Sequence, residues 1–127
     1  MLFRSAGLYQ NITRADMIKA GYAPSVRLFE AAACCTPIIS DYWEGLETFF
    51  EFDSEILISY SAGDTLKYLR EICNSERKAI GARARKKVMT HHTAAHRAKE
   101  LESYAQELMT VSGTDSAEEL NNLILNN

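Results

Sequence analysis

Three short apolar segments in the first half of the chain have the length and composition of β-strands, and turn residues bound each of them. These segments are residues 8–12, 36–40 and 55–60. Between the first two, the pattern predicts a short helix over about 14–20, opened by a capping box from Thr13 to Asp16. A nearly all-apolar helix over 26–34 follows, with Ser25 as its N-cap.

After residue 60, apolar positions recur with a period of 3.6 residues and predict three helices. The first covers 62–74, Ser75 caps the second up to about 90, and Thr93 caps the third up to about 109. The predicted inward positions are Leu66, Leu69, Ile72 and Cys73, then Ile80, Ala84 and Val88, then Ala94, Ala98, Leu101, Ala105 and Leu108. Residues 111–127 are mostly polar, with Leu120, Leu123, Ile124 and Leu125 among the exceptions, and predict a tail or a frayed final helix.

This order of elements predicts an α/β fold, a Rossmann-like parallel sheet with flanking helices. Three strands are few for a doubly wound sheet, and no complete βαβ unit precedes the first strand. We therefore expect part of a larger fold, with a Rossmann-like domain over 1–110 and a polar tail over 111–127.

The composition is that of a soluble globular protein: 46% of the 127 residues are hydrophobic and 24% are charged. The formal charge of −3 argues against a nucleic-acid partner, and no apolar run approaches the ~20 residues of a membrane span. The three cysteines, Cys34, Cys35 and Cys73, form no regular disulfide framework and predict reduced thiols in the cytoplasm. His92 and His96 lack the surrounding pattern of a zinc site, so we expect neither a metal nor a cofactor.

Polar residues at the start of the apolar helix carry the candidate chemistry, because ligands of parallel sheets bind beyond the carboxyl ends of the strands. The free amides of Ser25 and Val26 at the helix start suit an anion. Arg14 or Arg27 can add a charge-assisted hydrogen bond. Glu30, one turn inside the helix, offers two acceptor oxygens to neighbouring ribose hydroxyls. The pattern indicates a nucleoside diphosphate whose ribose lies along the helix.

Plainer interpretations stand beside these. Arg27 and Glu30 are three residues apart and suit a surface ion pair. Arg14 suits a solvated first turn, and Asn11 either ends its strand or contacts the ligand.

The run over 24–41 resembles the nucleotide-sugar motif of group 1, GT-B glycosyltransferases, in their second Rossmann-like domain, and most of all the spore-maturation CgeB-like branch. Shorter segments agree with the same family: 11–17, 43–46, 55–57 and 92–98. The resemblance covers residues 8 to about 105. It implies transfer of a sugar from a nucleoside diphosphate donor to an unknown acceptor, without a bound metal. It also implies a missing N-terminal domain that binds the acceptor and supplies the catalytic base.

By position, the ribose-binding glutamate of the family falls on Glu30, and its phosphate-facing backbone falls on Ser25 and Val26. Two positions depart from the family pattern. Tyr22 stands where many members have a glutamate assigned to the donor sugar, and Cys35 stands where the family usually has glycine. If that turn needs a positive φ, cysteine strains it by roughly 1–2 kcal/mol.

The sequence therefore predicts the nucleotide-sugar-binding part of a glycosyltransferase. The alternative, which the two departures favour, is a non-catalytic interaction module that keeps the fold but has lost its ligand. Within this chain, Asp41 is the one candidate base that we expect near the cleft. The neighbouring Tyr42 and Trp43 either stack on a base or sugar or cover the core.

Overall fold

A computed structural model describes the backbone of residues 7–125 and the side chains of residues 7–110. The elements are β1 (Tyr9–Asn11), α1 (Ala15–Ala20), α2 (Val26–Ala33), β2 (Ile38–Ser40), a 3₁₀ turn (Leu46–Thr48), β3 (Leu57–Ile58), α3 (Ala62–Glu71), α4 (Asn74–His91) and α5 (Ala94–Leu125). They belong to two compact units, one ending at His92 and one beginning at Thr93.

The three strands form one parallel sheet in the order β1-β2-β3. Asn11 is paired with Ser40, and Ser40 with Ile58, so the three strands end side by side. With neighbouring strands about 4.8 Å apart, side chains at these ends are within reach of one another. The α/β, Rossmann-like fold predicted from the sequence is confirmed.

The core of the first unit lies where α2 and α4 pack beside the sheet. Its large buried side chains include Leu28, Ile38, Trp43, Leu46, Phe50 and Ile56. The inward positions predicted for α4, namely Ile80, Ala84 and Val88, are buried as expected.

The connection from α2 to β2 is a tight turn with Cys35 in the left-handed region, at φ 58°. The Cys35 N–H donates to the Ala32 carbonyl at 2.9 Å, and the Thr36 N–H donates to the Ala31 carbonyl at 3.0 Å. These two bonds define a Schellman motif, in which the left-handed position favours glycine. The turn therefore has the positive φ at Cys35 on which the predicted strain depends.

Two predicted helix caps are wrong. The residue before α1 is Arg14, which makes no side-chain cap bond, and the Thr13 hydroxyl donates to Asp41 instead. The N-cap of α4 is Cys73, two residues before the predicted Ser75.

The apolar face predicted for α3 is only partly covered, since Leu66 and Leu69 are 48% and 43% exposed and no α3 side chain is fully buried. In the second unit, the Thr93 hydroxyl accepts the His96 N–H at 3.4 Å, which confirms the predicted cap. The backbone of α5 continues as helix to Leu125, and the side chains beyond residue 110 lie outside the described set. Among the helices of the described residues, none has both the length and the apolar character needed to cross a bilayer.

Candidate functional site

Polar side chains join the ends of β1 and β2. Asn11 is 5% exposed and Ser40 is fully buried. The Asn11 amide donates to the Ser40 hydroxyl and to the Thr13 hydroxyl, each at 3.1 Å. Because the amide carries two hydrogens, both bonds can form at once, and they satisfy groups that would be costly to bury unpaired.

Asp41 completes this network. Its Oδ2 accepts the backbone N–H of Thr13 at 2.8 Å, and its Oδ1 accepts the Thr13 hydroxyl at 2.7 Å. Oδ1 also accepts the Ser40 hydroxyl at 3.3 Å. Both carboxylate oxygens are therefore engaged in holding the β1–α1 connection against the end of β2, an arrangement that favours a positioning role over that of a base.

An open pocket of about 580 Å³ lies beside this network. Its lining residues are Tyr9, Gln10, Asn11, Ile12, Thr13, Arg14, Met17, Ser25 and Arg27. The volume falls within the usual ~300–1,000 Å³ of small-molecule sites. The charged side chains in this lining, Arg14 and Arg27, are both cationic, although the whole chain carries a formal charge of −3. We call it the arginine pocket.

The start of α2 forms part of the pocket wall through Ser25 and Arg27. The Ser25 hydroxyl accepts the Arg27 N–H at 3.4 Å, which confirms the predicted N-cap. The Leu28 N–H donates to the Ser25 carbonyl at 3.0 Å. The partial positive charge of the helix start adds to that of the guanidinium groups.

Four of the six predicted ligand-binding residues thus line the arginine pocket, and Val26 and Glu30 do not. The Val26 side chain is 69% exposed, and Glu30 is also exposed, away from the buried Leu28 and Ala32 of the same helix. The contact of Glu30 with a ribose stays a prediction. In the described part of the chain, the ion pairs are Arg83–Glu76 and Arg97–Glu100, so the surface pair between Arg27 and Glu30 is not formed.

The two aromatic residues after β2 differ in their surroundings. Trp43 is 2% exposed and belongs to the core, whereas Tyr42 is 42% exposed. The plainer interpretation is therefore correct for Trp43, while the Tyr42 ring is available to a ligand.

Within the described residues, no three histidine, cysteine or carboxylate side chains converge as metal ligands would. Cys34, Cys35 and Cys73 are free thiols. A hydrogen bond with the Ser75 hydroxyl, helped by backbone amides at the start of α4, lowers the pKa of the exposed Cys73 thiol.

The Asp41–Thr13 contact was missed by sequence reasoning because the residues are 28 positions apart and Thr13 also fits a local cap pattern. The position of Asp41 directly after a buried strand was the available signal.

The family model described as glycosyl transferase-like matches residues 1–103. The chain belongs to this family. The match includes the whole arginine pocket and the polar network beside it. Comparison of this glycosyl transferase-like chain with curated proteins and with solved structures gave no match in either set.

Proposed function

We propose that this chain is the nucleotide-sugar-binding part of a GT-B glycosyltransferase, and that it belongs to the CgeB-like branch. The arginine pocket is the observation that carries the proposal: among the described residues, its lining includes two arginines and no carboxylate, and it lies at a helix start beside the sheet edge. Membership of the glycosyl transferase-like family supports sugar transfer as the reaction class.

In this proposal the diphosphate of the donor lies in the arginine pocket. The Ser25 and Val26 amides face the phosphates, and Arg14 and Arg27 donate charge-assisted hydrogen bonds. Charge develops on the diphosphate as the sugar leaves, so fixed positive groups at this point stabilise the transition state as well as the bound donor. Glu30 accepts hydrogen bonds from the ribose hydroxyls.

The acceptor and the catalytic base belong, in this proposal, to an N-terminal domain outside this chain. The three hydrogen bonds that Asp41 accepts support assigning the base elsewhere. The donor is a substrate, and the proposal includes no resident cofactor. A nucleotide-sugar donor together with free thiols suits a reducing compartment, so we also propose the cytoplasm as the location.

A titration of ¹⁵N-labelled chain with UDP, GDP, UDP-glucose and GDP-mannose tests the proposal. We expect amide shifts at Ser25, Val26 and Glu30. Arg14→Ala and Arg27→Ala should each weaken binding roughly tenfold or more, because each removes a charge-assisted hydrogen bond. Arg70→Ala is the matched control, since Arg70 is an exposed arginine on α3 and does not line the pocket.

The non-catalytic interaction module is the second candidate. Tyr22 favours the module, since an exposed aromatic ring occupies the position at which many group 1, GT-B glycosyltransferases have a carboxylate. If no amide signal shifts at millimolar concentrations of any of the four nucleotides, donor binding is contradicted and the interaction module is supported.

A further inference from the structure

Three exposed tyrosines cluster around the loop that follows β2. Tyr22, Tyr42 and Tyr60 are 60%, 42% and 75% exposed, and we call them the tyrosine platform. Tyr42 and Tyr60 come shortly after the ends of β2 and β3, so they lie at the ligand-binding edge of the sheet. Single exposed aromatic residues are ordinary on protein surfaces, but several around one loop at such an edge indicate a binding surface.

The rings are held in place by contacts with one another and with the backbone. The Tyr42 and Tyr60 ring centroids are 6.3 Å apart, with 35° between the ring planes. The Tyr22 ring covers Gly45 so closely that a Cβ there would lie 2.4 Å from the ring. The Tyr22 N–H donates to the Glu44 carbonyl at 2.8 Å, and Tyr22 itself has a φ of 48°. A bulky residue with this φ is an outlier, of the kind that concentrates at functional sites.

Unlike the lining of the arginine pocket, the surroundings of the platform include two carboxylates. The Glu47 carboxylate accepts the N–H of Gly45, the residue that the Tyr22 ring covers, at 3.2 Å, and a Cβ at Gly21 would lie 3.8 Å from Oε2 of Glu44. The charge of Glu47 raises the pKa of Tyr42, with further contributions from burial, Glu44 and the two other tyrosines. The Tyr42 phenol can donate a hydrogen bond. Negative charge beside the rings disfavours a phosphate at this position.

A pyranose ring matches this combination of groups. Its C–H face stacks on aromatic rings, and its hydroxyls donate to carboxylates and accept from phenols.

We propose that the tyrosine platform binds a saccharide ring, with Glu44 and Glu47 accepting hydrogen bonds from its hydroxyls. The loop that carries Tyr42 begins beside the arginine pocket, because Asp41, next to Tyr42 in the chain, is hydrogen-bonded to Thr13 in the pocket lining. The inference deepens the proposed function, and rests on it only for the expectation that a sugar is present. The saccharide is either the sugar of the donor or part of the acceptor.

The test follows the tyrosine ring signals of selectively labelled chain by NMR, with UDP, GDP, UDP-glucose, GDP-mannose, maltotetraose and mannotetraose as probes. We expect the platform rings to shift with sugar-bearing probes and not with UDP or GDP. Tyr42→Ala and Tyr60→Ala should each weaken binding of those probes roughly tenfold, as loss of one aromatic stacking contact does, without changing the affinity for UDP or GDP.

Two further variants control for structural effects. Tyr22→Asn removes the ring but keeps a residue that tolerates a positive φ, so it should weaken sugar binding without lowering thermal stability. Tyr104→Ala removes an exposed tyrosine of α5, outside the platform, and should change nothing.

The outcomes separate the two sources and the two proposals. Ring shifts with UDP-glucose or GDP-mannose identify the donor sugar, and shifts with a free tetrasaccharide identify the acceptor. If no sugar-bearing probe shifts the rings at tens of millimolar, or if Tyr104→Ala loses as much affinity as Tyr42→Ala, the platform proposal is overturned, whatever UDP and GDP show. If UDP and GDP shift no signal while a tetrasaccharide shifts the tyrosine ring signals, saccharide binding at the platform is supported and donor binding at the arginine pocket is contradicted.

Discussion

Cys35 occupies the turn position at which helices most often end with glycine. Its φ of 58° places the Cβ close to the following carbonyl, a conformation that costs roughly 1–2 kcal/mol for most residues. The side chain is exposed and is not part of either hydrophobic cluster, so little packing offsets this strain.

Cys35→Gly should therefore stabilise the chain by about 1 kcal/mol, since relief of strain exceeds the added freedom of the unfolded glycine. Urea unfolding followed by the fluorescence of Trp43 measures the change. Cys34→Gly is the matched control: Cys34 has a φ of −86°, so glycine there relieves no strain and should lower stability. Equal effects at the two positions would show that the left-handed turn is not strained.

At the scale of single residues, sequence reasoning placed charged side chains better than it identified hydrogen-bond partners. Arg14 and Arg27 were predicted as phosphate ligands because few residue types bind a phosphate well. Both line the arginine pocket, and their contact with a phosphate stays a prediction. The role of Thr13 was assigned wrongly because a local cap pattern matched. The carboxylate that binds Thr13 belongs to Asp41, which only the pairing of β1 with β2 brings near.

At the scale of elements, α4 and the α2–β2 turn approach each other so closely that a side chain would not fit between them. The contact occurs at Gly81, which is buried in the middle of α4. A Cβ at this position would lie 2.2 Å from the carbonyl oxygen of Cys35 and 3.3 Å from the nitrogen of Pro37. These neighbours are backbone atoms, which cannot rotate aside as a side chain would.

Gly81→Ala should consequently destabilise the chain by about 2 kcal/mol or more, although alanine is the better helix former by about 1 kcal/mol. Gly63→Ala in α3 is the matched control, since the nearest atom to a Cβ there is the Ser61 hydroxyl oxygen at 3.4 Å. That substitution should be neutral or stabilising. Thermal unfolding of both variants checks the pair, and a stabilised Gly81→Ala variant would contradict the close approach.

Sequence patterns predicted which elements exist more reliably than which faces they bury. The 3.6-residue period identified α3 and α4 alike, but it cannot tell how much of a helix face its neighbours cover. Leu66 and Leu69 of α3 are roughly half exposed, whereas Ile80 and Val88 of α4 are buried beneath the sheet and α2. Coverage depends on long-range packing, which no local pattern encodes.

The sheet of the first unit is small for a scaffold that positions a binding site. Its strands are three, three and two residues long, so backbone pairing contributes few hydrogen bonds to their alignment. The bond between the Asn11 amide and the Ser40 hydroxyl connects the same two residues that face each other across β1 and β2.

A double-mutant cycle over Asn11→Ala and Ser40→Ala measures this bond. Each single change should cost about 1–2 kcal/mol in the free energy of unfolding, because it leaves a buried polar partner less satisfied. The double change should cost about 1 kcal/mol less than the sum, since the second substitution removes a group that has already lost its partner. Strictly additive costs would show that the 3.1 Å contact contributes nothing.

Because of this bond, the alignment of β1 with β2 depends on the two residues together and not on either one alone. Sliding one strand by a single residue would turn the amide to the opposite face of the sheet and separate it from its hydroxyl. We therefore expect homologous chains to change the two positions together, because a change at one position without the other carries a penalty. Covariation of these two positions among related sequences is the result that we expect from the Asn11–Ser40 hydrogen bond.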